Sequence, residues 1–322
     1  MRRKGTLGLG RISIAGAATL AAVATAACDL ELPRASAPDA PAARPVDPDT
    51  PLRGAEARLF SIEGLAGPEA VRYDPDADVF LISNFGTDED PEANDGFIAR
   101  ASAEDGAIEA LRWAVGDESR PLQDPRGMAF AGDTLWIADA RGAHAFARYG
   151  GAQLRFVDLT GMEPGFLNDV AVGPDGGVYI TDTGRSRLLR LSGDSAIIVA
   201  EGEALGNPNG LTYEPSSGAF VLVPWEGGGD SLRAWHPVFR TLTVRARTPG
   251  ARFDGVEVFD GRLVVASQAD SALHWVGTER GVPFQKVPGP PADIAVDTRR
   301  GRIAVPYIAL NRVDVFPGPP GG

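Results

Sequence analysis

Six segments of the chain fall into one register, and this repeat constrains the fold more than any other feature. They are EAVRYDPDADVFLIS from Glu69, RGMAFAGDTLWIAD from Arg126, NDVAVGPDGGVYITD from Asn168, NGLTYEPSSGAFVLV from Asn209, DGVEVFDGRLVVAS from Asp254 and ADIAVDTRRGRIAV from Ala292. Each has two leading residues, a short strand, a tight turn of Pro, Gly, Asp or Ser, and a second, more apolar strand. The leads lie 57, 42, 41, 45 and 38 residues apart. A third and a fourth strand follow, as in RLLRLSG and AIIVAEG of the third unit or ALHWVGT and PFQKVPG of the fifth. Four strands at this period match a β-propeller blade.

The last unit supplies only DIAVD, RIAVPY and RVDVF, and so lacks a fourth strand. ARLFSIEG, residues 57–64, precedes the first unit and has no other assignment. If it completes the last blade, the ring closes and no long sheet edge stays open. The sequence therefore predicts an all-β six-bladed β-propeller over residues 56–317, with four antiparallel strands per blade. The last blade is closed by an N-terminal strand, and residues 318–322 form a short tail.

Residues 1–27 read as a signal peptide: Arg2, Arg3 and Lys4 lead into an apolar, alanine-rich run that ends in small residues before Cys28. A cysteine there resembles the lipobox of bacterial lipoproteins, in which the thiol is acylated, although Thr25 stands where that motif has Leu. An ordinary signal peptide with an incidental cysteine is the alternative. The run is too short for a bilayer-spanning helix of roughly 20 residues. From Cys28 to residue 55 the chain is rich in Pro, Ala and Asp and is expected to be a disordered tether. The expectation is a lipid-anchored extracytoplasmic protein, on the periplasmic or the outer-membrane and cell-surface side.

Cys28 is the only cysteine, so no internal disulfide is available. The chain carries 31 basic and 43 acidic residues, a net charge of −12. This acidity argues against nucleic acid as a partner and suits a divalent cation.

In a propeller the first strand of each blade lines the central channel, so the lead residues converge at one mouth. In order they are Glu69, Arg126, Asn168, Asn209, Asp254 and Ala292. Five of the six are polar or charged where strand propensity favours Val or Ile. A lone Asn-Gly or Asp-Gly is common turn chemistry. Glu, Asn, Asn and Asp at one repeat position in four blades is a stronger signal. Oxygen donors without His or Cys select a hard cation, Ca2+ or another divalent ion, with Glu69 and Asp254 balancing its charge. The bland alternative is a set of polar strand-start caps in a water-filled channel. His144, His236 and His274 fall outside the lead positions, so zinc is disfavoured. His144 and His274 are expected to be half exposed on third strands. The loop PWEGGGDS, residues 224–231, is assigned to the opposite mouth as a binding or merely flexible segment.

The chain resembles the senescence marker protein and gluconolactonase family of calcium-dependent propellers, with diisopropyl fluorophosphatase and the paraoxonases as more distant relatives. The segments that carry the resemblance are GPEAVRYDPDADVFLISN, FLNDVAVGPDG, NPNGLTYEP, FDGVEV and ADIAVDTRRGRIAVPY. It implies calcium ligands at Glu69, Asn168, Asn209 and Asp254, a catalytic role for Asp254 in taking a proton from water, and hydrolysis of lactones or related esters. Two positions depart from the pattern. The gluconolactonases place an arginine two residues before the third lead, where this chain has Phe166. The paraoxonases have a histidine at the second lead, where this chain has Arg126. A guanidinium there can hold an anionic substrate, pair with Glu69 or Asp254, or stack in the channel on carbonyl oxygens. The rival to the metal hydrolase is a non-catalytic NHL-like propeller that binds a protein or glycan.

Overall fold

A computed structural model describes residues 43–87 and 94–319. The expected signal peptide, Cys28 and the first half of the tether lie outside the described residues. The repeats form six four-stranded antiparallel sheets. The innermost strands are Pro68–Asp74, Met128–Ala131, Leu167–Val172, Pro208–Glu214, Phe253–Phe259 and Ala295–Asp297 for blades one to six. A small hairpin, Gly116–Asp117 with Arg120–Pro121, occupies the longest repeat spacing.

Blade six takes its outer strand, Phe60–Ile62, from the other end of the chain. Phe60 pairs with Val315 and Ile62 with Val313, and the Ser61 hydroxyl donates to Asp314 at 2.6 Å. Second strands such as Val79–Asn84 and Ala219–Pro224 are buried at every residue, because both faces of each sheet are covered by the neighbouring blades. Outer strands such as Thr241–Arg247 keep exposed positions. The core therefore sits between blades: Phe80 and Ile82 of blade one pack with Val313 and Val315 of blade six. Tyr179 and Leu188 of blade three likewise pack with Phe220 and Trp235 of blade four. Burying each such side chain contributes about 1.5–3 kcal/mol.

Two expectations change. Residues 44–55 are not a free tether but lie along blades five and six. The Arg53 amide donates to Phe284 O at 2.9 Å, and its guanidinium donates to the carbonyls of Pro317 and Gly318. Val46 packs beside the Trp275 and Phe284 cluster. Proline-rich composition conceals this, because the contacts are mostly backbone hydrogen bonds that carry no compositional mark. His144 and His274 do lie on third strands but are fully buried, since those faces meet the next layer of side chains. Gln153 and Thr248 engage their Nδ1 atoms at 2.8 Å each. Burial pushes His144 down to about 3, which keeps it neutral.

Candidate functional site

The four lead residues Glu69, Asn168, Asn209 and Asp254 come together as buried side chains, each 3–5% exposed. Each lies in a β-bulge of its innermost strand. The register shifts fall between Pro68 and Ala70, Leu167 and Val170, Pro208 and Leu211, and Phe253 and Val256. A bulge inserts one residue and re-aims its side chain, which is how polar residues in four strands come to face one cavity. That cavity holds about 510 Å³ and is lined by the whole quartet.

Glycine follows the lead in three blades, as Gly127, Gly210 and Gly255. These glycines sit in the channel wall, not in turns. A Cβ on Gly210 would overlap the Asp254 carbonyl oxygen, and one on Gly255 would lie 2.8 Å from the Asp293 Cα. The blades can approach closely enough to converge only because those side chains are missing.

One oxygen of each quartet residue has no hydrogen-bond partner: Glu69 Oε2, Asn168 Oδ1, Asn209 Oδ1 and Asp254 Oδ1. The other Asp254 oxygen accepts from Gln268 Nε2 at 2.6 Å. Buried acceptors are rarely left unpaired, and leaving one so costs about 1–3 kcal/mol. Burial raises the Glu69 carboxyl well above its usual range, Asp254 adds to this, and Arg126 opposes it. Burial, with Asp169 adding and the Gln268 hydrogen bond opposing, pushes Asp254 up to about 7.

Arg126 is also buried, at 5% exposure, but it does not line the cavity. Its guanidinium lies 3.9 Å beneath the Phe166 ring centroid and donates to Leu167 O at 2.9 Å. Asp124 stands 3.7 Å away. Its charge is thus held behind an aromatic ring, where it acts on Glu69. Ala292, the sixth lead, is buried and brings no donor side chain.

The solved structures similar to this chain include a gluconolactonase from Xanthomonas campestris, at 19% identity and TM-score 0.62 over 87% of this chain and 98% of that one. The calcium-binding protein regucalcin from Agrobacterium tumefaciens is similar at 14% identity and TM-score 0.59, over 83% and 95%. A catalytically inactive virginiamycin B lyase from Staphylococcus aureus gives 13% and 0.53, over 79% and 98%. The likeness is one of fold. No family model matches the chain, and no curated protein matches it by sequence. The six-bladed fold that the sequence resemblance implies is thus met by neighbours that include a gluconolactonase and a calcium-binding protein.

Behind the quartet lies a second charged layer that the lead-position reasoning missed. Asp169 and Asp293 each follow a lead, and both are buried. Arg72 reaches Asp293 at 3.2 Å and Asp169 at 3.7 Å, and it also contacts Glu257. Burial, opposed first by Arg72, pushes Asp169 up to about 6. Burial and then Asp169 push Asp293 well above its usual range. A signal was present in the sequence: Asp169 and Asp293 occupy the repeat position that three other blades give to glycine.

The loop at residues 224–231 reaches the quartet mouth and not the opposite one, with Trp225 and Glu226 in the cavity wall. The geometry requires this. Pro224 ends the second strand of blade four opposite Pro208, which starts the first. The other wall residues missed from sequence are Phe85, Thr183, Gly184, Asn207, Gln268 and Ile308.

Proposed function

We propose that the protein is a divalent-cation-dependent hydrolase of lactones or related esters, with calcium held by Glu69, Asn168, Asn209 and Asp254. The observation that carries the reading is the set of four unpartnered buried oxygens, one from each residue. An all-oxygen donor set with two carboxylates suits a hard dication in charge and in donor type. Among the described residues no three His, Cys, Asp or Glu side chains gather as a metal-binding group, and here half the donors are amides. The gluconolactonase and calcium-binding neighbours support the same reading.

A bound calcium ion would supply Lewis acidity toward a substrate carbonyl. The chain supplies the rest. Gln268 fixes the Asp254 carboxyl through one oxygen and leaves the other facing the cavity. The cavity-facing oxygen of Asp254 stands where it can accept a proton from water and return it to the leaving oxygen. Asn168 and Asn209 hold their amide oxygens rigidly, because the bulges that carry them are tied to neighbouring blades. Gly127 N donates to Asn168 O at 3.0 Å and Thr181 Oγ1 donates to Asn209 O at 2.7 Å. We further propose that the enzyme is exported and lipid-anchored through Cys28.

Calorimetric titration of the purified protein with calcium, beside Asp254→Ala, tests the reading. Micromolar or tighter binding that the variant loses supports it. A wild-type protein that binds no divalent cation overturns it and turns the search to the NHL-like alternative.

A further inference from the structure

Above the four oxygens the cavity wall is formed by Phe85, Phe166, Trp225 and Ile308. Phe166 is 42% exposed and Ile308 37% exposed. Large apolar side chains held open in a concave mouth indicate a bound apolar group. The wall is also rigid. The amides of Gly165 and Phe166 donate to Asp182 Oδ1 at 3.0 and 2.9 Å, and Phe166 O accepts from Thr183 N at 2.9 Å. Asn207 Nδ2 donates to Thr183 O, and Asn207 O accepts from Trp225 N at 3.0 Å. A chain of hydrogen bonds thus fixes the backbone that carries the two aromatic rings before any ligand arrives.

Three polar side chains of the same wall already donate inside the protein. Thr183 Oγ1 donates to Pro208 O at 2.8 Å, Asn207 Nδ2 to Thr183 O at 2.9 Å and Gln268 Nε2 to Asp254 at 2.6 Å. The nearby cation, Arg126, is covered by Phe166. The charged side chain in the outer wall, Glu226, repels anions. Beyond the cation, a ligand with many hydroxyl groups would lose hydration without gaining these donors, and a carboxylate would meet no basic side chain in the wall.

We propose that the substrate of this site is an uncharged lactone or ester bearing an alkyl or aryl group, seated on Phe85, Phe166, Trp225 and Ile308, and that polyhydroxylated lactones are poor ligands. This rests on the hydrolase reading for its reacting group but not for its apolar one. The test uses the calcium-loaded full chain with γ-butyrolactone, γ-hexalactone, γ-nonalactone and gluconolactone as substrates. Binding of the lactam counterparts of γ-nonalactone and gluconolactone is measured by calorimetry. KM should fall about fourfold per added methylene until the cavity is filled, and the apolar lactam should bind at least tenfold more tightly than the sugar lactam. Phe166→Ala and Trp225→Ala should flatten the chain-length dependence and weaken the apolar lactam at least tenfold. Preference for gluconolactone, or no effect of chain length, overturns the proposal. If nothing is hydrolysed, lactam binding still decides it: apolar preference lost in Phe166→Ala upholds the apolar site while the hydrolase reading fails. Absence of apolar lactam binding sinks the proposal whether or not esters turn over.

Discussion

Arg72 on blade one and Asp293 on blade six form an ion pair of 3.2 Å across the channel wall. Their backbones meet there too, since Val71 N donates to Asp293 O at 3.1 Å and Asp293 N to Glu69 O at 2.9 Å. The arginine is the counter-charge for Asp169, Asp293 and Glu257 together. Replacing it by Met leaves buried carboxylates unbalanced, and Arg72→Met should cost about 3–5 kcal/mol. Urea denaturation of the variant beside wild type measures this; a loss under about 1 kcal/mol would show that the acids simply protonate.

The raised carboxyls set an unusual pH dependence for the metal-free protein. Asp254, near 7 when folded, returns to about 4 when unfolded. Between those values the folded state holds the extra proton, so the Asp254 contribution falls as pH rises through the window and levels off above about 7. Asp78, held low by Arg300, acts in the opposite sense and lower down, its contribution being lost in acid. Thermal melts in chelator across this range should show the decline, and added calcium should reverse it most strongly at the alkaline end.

Gly210→Ala is a severe change although it adds one methyl group. The new Cβ would overlap Asp254 O, moving the bulge that aims Asp254. Overpacking of this kind costs about 1–3 kcal/mol, and calcium affinity should fall with it. Gly150→Ala meets nothing within 4 Å and serves as the neutral control. Melting temperature and calorimetry of both variants check the contrast.

Trimming the N-terminus separates two stretches. Removal to residue 55 takes away the Arg53 hydrogen bonds and the Val46 contact, and should cost about 1–3 kcal/mol. Removal to residue 63 also deletes the closing strand and bares the edge of blade six. That last form should aggregate, which light scattering detects.

Much of this was legible because a blade repeats the same strand pair six times. The quartet showed itself through the same repetition, four polar residues at one register position. What stayed hidden follows other rules. Phe85, Trp225 and Ile308 come from the ends of second strands, where each blade has its own loop and no period exists to align them. Asp169 and Asp293 were visible as letters, but their role depends on the glycines of neighbouring blades, a relation across space and not along the chain. The buried histidines looked half exposed because third strands alternate in apolarity, while in the ring both of their faces are covered.

The bond between Ser61 and Asp314 joins residues 253 positions apart. Emerging from the ribosome, the strand Phe60–Ile62 has no partner until residues 313–315 follow it. A chain that stops short of those residues is therefore an open arc, and the ring can be sealed only once they have been made. Loop closure over that distance belongs to the slow end of folding. A protein read as destined for export thus carries in its own topology a delay that keeps it threadable.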